Sequence, residues 1–187
     1  MKVSIIIDSE EDPLSLAFPG ATEKFEGVLE EELTLLFQHE LAPWRQRLEK
    51  HAEIHVSLSF LSRAEMLEIN RNYRDEDEST DVLSFSLWDE GGGGFAPPEL
   101  PFDVFPLGDI VICMEETERE HAPMAGPEAL CLVFAHGFLH LLGWDHDTPE
   151  KEKLMWERQE LLKSKMLKAV SVAAFGAAAF SAAEADF

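Results

Sequence analysis

The sequence predicts a single α+β domain that contains a four-stranded sheet and about five helices. Two observations lead to this fold class. Segments with strand character and segments with helical periodicity follow in the order strand, helix, strand, helix, strand, strand and three helices. With 187 residues, of which 45% are hydrophobic, the chain can also bury a core without disulfide bonds. These segments do not define the order of the strands in the sheet.

The first half of the chain is predicted to contain two strands and two helices. Residues 3–7 form a strand-sized apolar run, and Thr22 can cap a helix that continues to about residue 38. Residues 54–60 alternate between apolar and polar side chains, which is typical of a half-buried strand. Ser62 and Glu65 have the spacing of a capping box, so a short helix is expected to follow, as far as about residue 72.

The second half is predicted to contain two strands, a long loop and three helices. Residues 82–86 and 109–113 have strand composition. Residues 88–106 between them hold four consecutive glycines and four prolines, which is typical of a flexible loop. A helix is expected over residues 115–121. The next helix begins near Pro127 and is apolar nearly all round, so it is expected to be buried.

The C-terminal segment is predicted to contain a helix followed by an alanine-rich tail. Thr148 can cap the helix, and Pro149 suits its first position because that N–H has no partner in a helix. The uncharged run 169–183 is shorter than the roughly 20 residues that span a membrane. We therefore expect a folded domain over residues 1–168 and, over residues 169–187, a frayed helix or a disordered tail, with disorder preferred.

Charge and cysteine content narrow the class of protein. The chain has 37 acidic and 15 basic side chains, for a net charge of −22. This charge argues against broad nonspecific binding of nucleic acids, which depends on Lys and Arg at phosphates, but it allows a small local basic site. The acidity can also simply keep the protein soluble. Two cysteines without a CxxC spacing and no signal-peptide pattern indicate a reduced cytoplasmic protein with no membrane partner.

Three of the seven histidines lie within eleven residues near the end of the buried helix. His136 and His140 are four residues apart, so they share one helix face, and His146 can fold back over that face after a turn at Gly143. Three neutral imidazoles can bind zinc and leave a fourth position open for water, as in catalytic sites, although imidazole also suits nickel, copper and iron. The alternative is satisfied core histidines, but three imidazoles are hard to bury unpaired.

The histidine motif is not the HExxH motif of zinc proteases. Gly137 stands where those enzymes carry a general-base glutamate, so peptide hydrolysis is not supported. We interpret the missing side chain at this position as room for a substrate beside the metal. A zinc-bound water with a pKa near 7 can still act as a nucleophile without a strong base.

Two further blocks accompany the histidines, namely Asn70-x-x-Tyr73-Arg74 with residues 80–85, and residues 107–112. Together with residues 136–146, and in this order, they resemble the YbeY family of bacterial endoribonucleases and rRNA maturation factors. The resemblance covers roughly residues 54–162. It implies a zincin-like α+β domain with a mixed sheet, and one zinc ion bound by His136, His140 and His146.

The resemblance also implies an activity and partners. The activity is metal-dependent cleavage of single-stranded RNA, which serves 16S rRNA 3′-end maturation and ribosome quality control. The expected partners are single-stranded RNA or rRNA and the ribosome or its small-subunit proteins, without DNA. Arg74 matches the functionally important arginine of the family, and His136 is expected to be catalytic as well as a metal ligand.

The chemistry of phosphodiester cleavage gives a reason for an arginine such as Arg74 at the site. A guanidinium can bind a phosphodiester through two hydrogen bonds and stabilise the charge that grows in the transition state. The alternative for Arg74 is an ion pair with Asp75, Asp77 or Asp81.

Two aspartates are candidates for orienting a ligand histidine. Asp145 can accept a hydrogen bond from an imidazole, or it can simply be a turn residue before the last helix. Asp109 lies near the start of a predicted strand, where either a structural or a supporting role is open.

Two other functions stay open beside the zinc endoribonuclease. One is a metal-dependent hydrolase of another substrate. The other is a ribosome assembly factor whose zinc is mainly structural, in which case loss of a histidine would unfold the domain because structural metal binding contributes folding free energy.

Overall fold

The structure is a computed structural model that describes residues 2–8, 30–31, 34–35, 44–88, 94–124 and 126–184, with side chains as far as residue 168. Over these residues it contains a four-stranded mixed sheet and five helices, which confirms the predicted fold class. Most of the helix predicted over residues 22–38 lies outside the described residues. The four residues of it that are described, at 30–31 and 34–35, are helical.

The elements have the following bounds. The strands are β1 (Lys2–Asp8), β2 (Glu53–Phe60), β3 (Val82–Ser86) and β4 (Val104–Ile112). The helices are α1 (Arg45–Leu48), α2 (Arg63–Arg74), α3 (Met114–Glu120), α4 (Gly126–Leu141) and α5 (Pro149–Glu184). The predicted capping box of α2 is present, because the side chains and backbones of Ser62 and Glu65 bond each other reciprocally.

The sheet has the order β1-β2-β4-β3. Strands β1, β2 and β4 are parallel, and β3 pairs antiparallel with β4 at one edge. Side chains alternate between two faces along each strand. On β4, Ile110 and Ile112 join a core with α4 and α5, whereas Val111 joins a smaller cluster with Met66 of α2. The sheet is therefore covered by helices on both faces.

Strand β4 begins five residues before the predicted strand, so the prediction of a flexible loop as far as residue 106 was wrong. Phe105 and Leu107 are fully buried, and Phe105 pairs with Ile54 of β2. The register of this pair shifts beside Pro106, which is exposed. A bulge is a position where a strand tolerates a proline, because one residue there has no ladder hydrogen bond.

The last helix is longer than expected. Helix α5 continues through the alanine-rich segment to Glu184, so the structure differs from the disordered tail that the sequence favoured. Alanine has the highest intrinsic helix propensity, which gives this continuation a physical reason. The division of the chain at residue 168 stays a prediction. Among the described helices, none combines the length and hydropathy that crossing a membrane requires.

Helix α4 lies very close to the sheet at Gly137. A Cβ atom on this glycine would lie 3.1 Å from Ile110 Cγ2 and 3.3 Å from Val82 Cγ2. Both of those side chains are buried. The interpretation of Gly137 as room for a substrate was therefore wrong, because the missing side chain faces the sheet and allows close packing of the helix.

Helix α4 ends at the predicted glycine. Gly143 has a φ of +78°, and the N–H groups of Gly143 and Trp144 donate to the carbonyls of His140 and Leu139 at 3.0 and 3.1 Å. A Cβ atom at Gly143 would lie only 2.6 Å from the backbone nitrogen of Phe95. Both the left-handed conformation and the close neighbour require glycine here.

We expect Gly143→Ala to lower the free energy of unfolding by at least about 1 kcal/mol, because alanine is strained in this conformation and its Cβ would collide with Phe95. Urea unfolding measures the change. Gly94→Ala is the matched control, since no heavy atom lies within 4 Å of its added Cβ. Equal stability of the two variants would contradict the expectation.

Candidate metal centre

The three clustered histidines come together in space. His136 and His140 project from one face of α4, and His146 returns to that face after the turn at Gly143. The ring centroid of His136 lies 4.6 Å from that of His140 and 5.5 Å from that of His146, and the centroids of His140 and His146 are 5.2 Å apart. The three candidate ligand nitrogens all lie within 4.8 Å of one another. His136 and His140 are half-buried, while His146 is exposed. The group is therefore compact and open to solvent on one side.

Hydrogen bonds determine which ring nitrogens are available. His140 Nδ1 lies 2.9 Å from the carbonyl oxygen of Trp144, and His136 Nδ1 lies 2.9 Å from Gln159 Oε1. Both partners are oxygen acceptors, so each Nδ1 carries the hydrogen and each Nε2 has a free lone pair. The two Nε2 atoms are 3.1 Å apart. Two lone pairs that converge in this way could bind one metal ion.

The charge state of the rings fits a metal as well. Burial, together with the imidazoles of His136 and His146, lowers the pKa of His140 to about 4. Burial also lowers the pKa of His136. Both rings are therefore neutral at pH 7, which is the form that binds metal. Metal–nitrogen bonds of about 2.0–2.1 Å in a tetrahedral site put ligand nitrogens roughly 3.3 Å apart. The Nε2 atoms of His136 and His140 are 3.1 Å apart, which is close to this value.

Gln159 is a residue of this site that the sequence analysis missed. It lies on α5 and holds His136 from the side opposite the converging Nε2 atoms. A hydrogen bond of this kind fixes the tautomer and orientation of a ligand imidazole. The two residues are 23 positions apart on different helices, so no local sequence motif connects them.

The two candidate aspartates have different surroundings. Asp145 lines the same cleft as the histidines, but its Oδ1 accepts from the backbone N–H of His146 at 2.8 Å, which matches the turn-residue alternative. Asp109 is exposed on β4 and does not line this cleft. Because Ile110 faces α4, its neighbour Asp109 faces away from the histidines. The structure therefore does not bring Asp109 to the site.

Arg74, the last residue of α2, lies in the cleft of the three histidines. Its charge contributes to lowering the pKa of His136. None of the three alternative ion pairs of Arg74, with Asp75, Asp77 or Asp81, is formed; Asp77 pairs with Arg71, and Asp81 pairs with His121 at 2.8 Å. In the part of the chain that the structure describes, no carboxylate pairs with Arg74. The guanidinium is therefore available to a ligand.

The cleft is open and has a volume of about 740 Å³. Apart from the histidines, its lining is mostly polar and acidic. The other lining residues are Arg74, Glu76, Thr80, Asp81, Val82, Ser84, Asp145, Glu152 and Trp156. One guanidinium therefore faces four carboxylates around the three histidines.

This fold and site define a class of protein: an α+β domain with an open three-histidine centre suited to a metal ion. The family profile described as Endoribonuclease YbeY matches residues 21–167. The chain belongs to this family, whose members are metal-dependent endoribonucleases with a role in rRNA maturation, which confirms the resemblance seen in the sequence.

Two relatives that are named endoribonuclease YbeY agree with this assignment. The endoribonuclease YbeY of Halalkalibacterium halodurans is 43% identical over 147 residues, which cover 74% of this chain and 84% of the relative. The endoribonuclease YbeY of Staphylococcus aureus is 39% identical over 130 residues, which cover 66% of this chain and 78% of the relative. A solution structure of TM1509 from Thermotoga maritima is 26% identical, covers 88% of each chain and has a TM-score of 0.47.

We expect Gln159→Leu to weaken metal binding by roughly 10- to 100-fold, because His136 loses the acceptor that fixes its tautomer. Competition against a chelator of known affinity measures the dissociation constant. Gln159→Glu is the control, because it keeps an acceptor oxygen and should keep metal binding. Equal affinity of the leucine variant and the original chain would show that Gln159 does not position His136.

Proposed function

We propose that this protein is a zinc-dependent endoribonuclease that cleaves single-stranded RNA in the cytoplasm and takes part in 16S rRNA 3′-end maturation and ribosome quality control. The observation that supports this proposal most is the location of Arg74 in one open cleft with three converging imidazoles. Membership of the endoribonuclease YbeY family supports the reaction class. The free, buried thiols of Cys113 and Cys131 fit a reducing compartment.

In this proposal His136, His140 and His146 hold the zinc through neutral imidazole nitrogens. A bound zinc supplies Lewis acidity, which lowers the pKa of a bound water and polarises a phosphate oxygen. Arg74 binds the scissile phosphate through two N–H donors and stabilises the negative charge that develops on its oxygens. Gln159 and the carbonyl of Trp144 keep the imidazoles in the ligating tautomer. His136 is catalytic in the sense that it holds the ion beside the reacting phosphate.

The openness of the site supports a catalytic metal over a structural one. Structural zinc sites have four protein ligands, whereas catalytic sites keep a position for water or substrate. Here three histidines form the candidate group among the described residues, and His146 is exposed to the cleft. A fourth position is therefore available to solvent.

We expect Arg74→Ala and His140→Ala to lower the rate of cleavage of a single-stranded RNA loop by roughly 100-fold or more, because each removes a group that stabilises the transition state. Arg71→Ala is the matched control, since this neighbouring arginine bonds Asp77 and does not line the cleft. Chelation should abolish activity and zinc should restore it. Circular dichroism establishes that each variant is folded.

Several outcomes would count against the proposal. Unfolding of His140→Ala would favour a structural zinc and an assembly factor. If the original chain binds zinc but does not cleave the single-stranded RNA loop, the proposed nuclease activity is wrong. The products also report the nucleophile, because a 2′,3′-cyclic phosphate terminus requires attack by the RNA 2′-hydroxyl rather than by water.

We further propose that this strongly acidic protein docks on basic ribosomal proteins through its carboxylates. The ribosome would then deliver the RNA to the cleft. The net charge of −22 supports this partner over free RNA. High salt should release the protein from ribosomes in a sedimentation assay, because screening weakens contacts between exposed charges. Release by ribonuclease but not by high salt would contradict docking through protein charges.

A further inference from the structure

Trp156 differs from the other tryptophans of this chain. Trp44, Trp88 and Trp144 pack against the hydrophobic core, whereas Trp156 is 54% exposed. It lines the cleft of the three histidines and is the only aromatic residue outside the imidazoles among the described lining residues. Other large apolar side chains of this chain are equally exposed, so the place of the indole in the cleft, and not its exposure, points to a ligand.

The face of α5 that carries Trp156 is held against the metal ligands. Glu152, Trp156 and Gln159 follow at spacings of four and three residues, so they form one stripe along the helix. Gln159 Oε1 accepts from His136 Nδ1 at 2.9 Å, which fixes the position of this stripe beside α4. Residues three apart on a helix have Cβ atoms roughly 5–6 Å apart. The indole is therefore located next to the metal ligands.

The charge of the cleft limits the ways in which it can bind RNA. Arg74 faces the carboxylates of Glu76, Asp81, Asp145 and Glu152. Repeated contacts between cationic side chains and phosphates, which usually supply most of the affinity for nucleic acids, are therefore not available here. Stacking of a base on an aromatic ring does not require positive charge and accepts any base.

We propose that Trp156 stacks on the base of an unpaired nucleotide beside the scissile phosphate and thereby selects single-stranded RNA. This inference rests on the proposed endoribonuclease function. In a duplex each base is covered by its neighbours, while a base in a loop or single strand can turn onto a protein ring. Trp156 is a substrate-binding residue, and the proton transfers of the reaction do not involve it.

The test compares Trp156→Ala and Trp156→Phe with the original chain, all loaded with zinc. Leu154→Ala is the matched control, because Leu154 lies on the same helix, is 56% exposed and does not line the cleft. Binding is measured with a single-stranded oligoadenylate whose phosphorothioate linkages resist cleavage. Cleavage of the corresponding natural RNA gives kcat and KM, and a duplex of the same sequence gives the strand preference.

Loss of a stacking ring should weaken binding about 10- to 100-fold. Trp156→Ala should therefore raise both the Kd and KM by that factor, leave kcat nearly unchanged and reduce the preference for single strands. Trp156→Phe should restore most of the binding, and Leu154→Ala should match the original chain. Quenching of tryptophan fluorescence by the oligoadenylate should disappear in Trp156→Phe although this variant still binds.

Two failures are distinguishable. If the original chain cleaves RNA and Trp156→Ala has the same Kd, KM and strand preference, the stacking role is wrong and the endoribonuclease function stands. If the original chain neither binds nor cleaves RNA while its zinc is bound, both the function and the inference are wrong.

Discussion

The close approach of α4 to the sheet determines where two of the three candidate metal ligands lie. Eleven of the sixteen residues of this helix are buried, and Gly137 lets it pack against Ile110 and Val82 where any larger side chain would be tight. His136 and His140 lie beside the helix face that packs against the sheet, so their backbone has little freedom to move. Their imidazoles project from the side of α4 that meets α5, so the packed core positions these two histidines, and His146 joins them from the turn that follows the helix.

Helix α5 completes this arrangement. It contributes Gln159 to His136, and its Lys163, only 8% exposed, bonds Glu128 of α4 at 3.2 Å. The two helices are therefore joined both at the site and near the start of α4. One helix pair consequently holds two candidate metal ligands, the partner that orients one of them and the exposed indole of Trp156. Under the two proposals, a displacement of α5 would alter the orientation of His136 and the contact with substrate together.

Local features of this protein could be predicted from its sequence, whereas features that depend on the relative placement of distant elements could not. The capping box at Ser62 and the helix end at Gly143 follow from rules that act within a few residues. The role of Gly137 depends on which strands lie under α4, and Gln159 reaches His136 only after two helices have packed. Asp109 was uncertain because the phase of β4 changes at the register shift beside Pro106, so that Phe105 and Ile110, five residues apart, both face the core.

The electrostatics of the cleft have opposite effects at long and short range. The net charge of −22 repels a polyanion such as RNA at distances where individual groups are not resolved, and this repulsion weakens as salt increases. Close to the histidines, the same carboxylates would favour a divalent cation, and under the proposed function that cation and Arg74 would together present positive charge to one phosphate. Such a site attracts a phosphate only at contact distance. Under the proposed function, a flexible single strand can place one phosphate and one base within such a site, whereas the stacked bases of a duplex cannot turn onto Trp156.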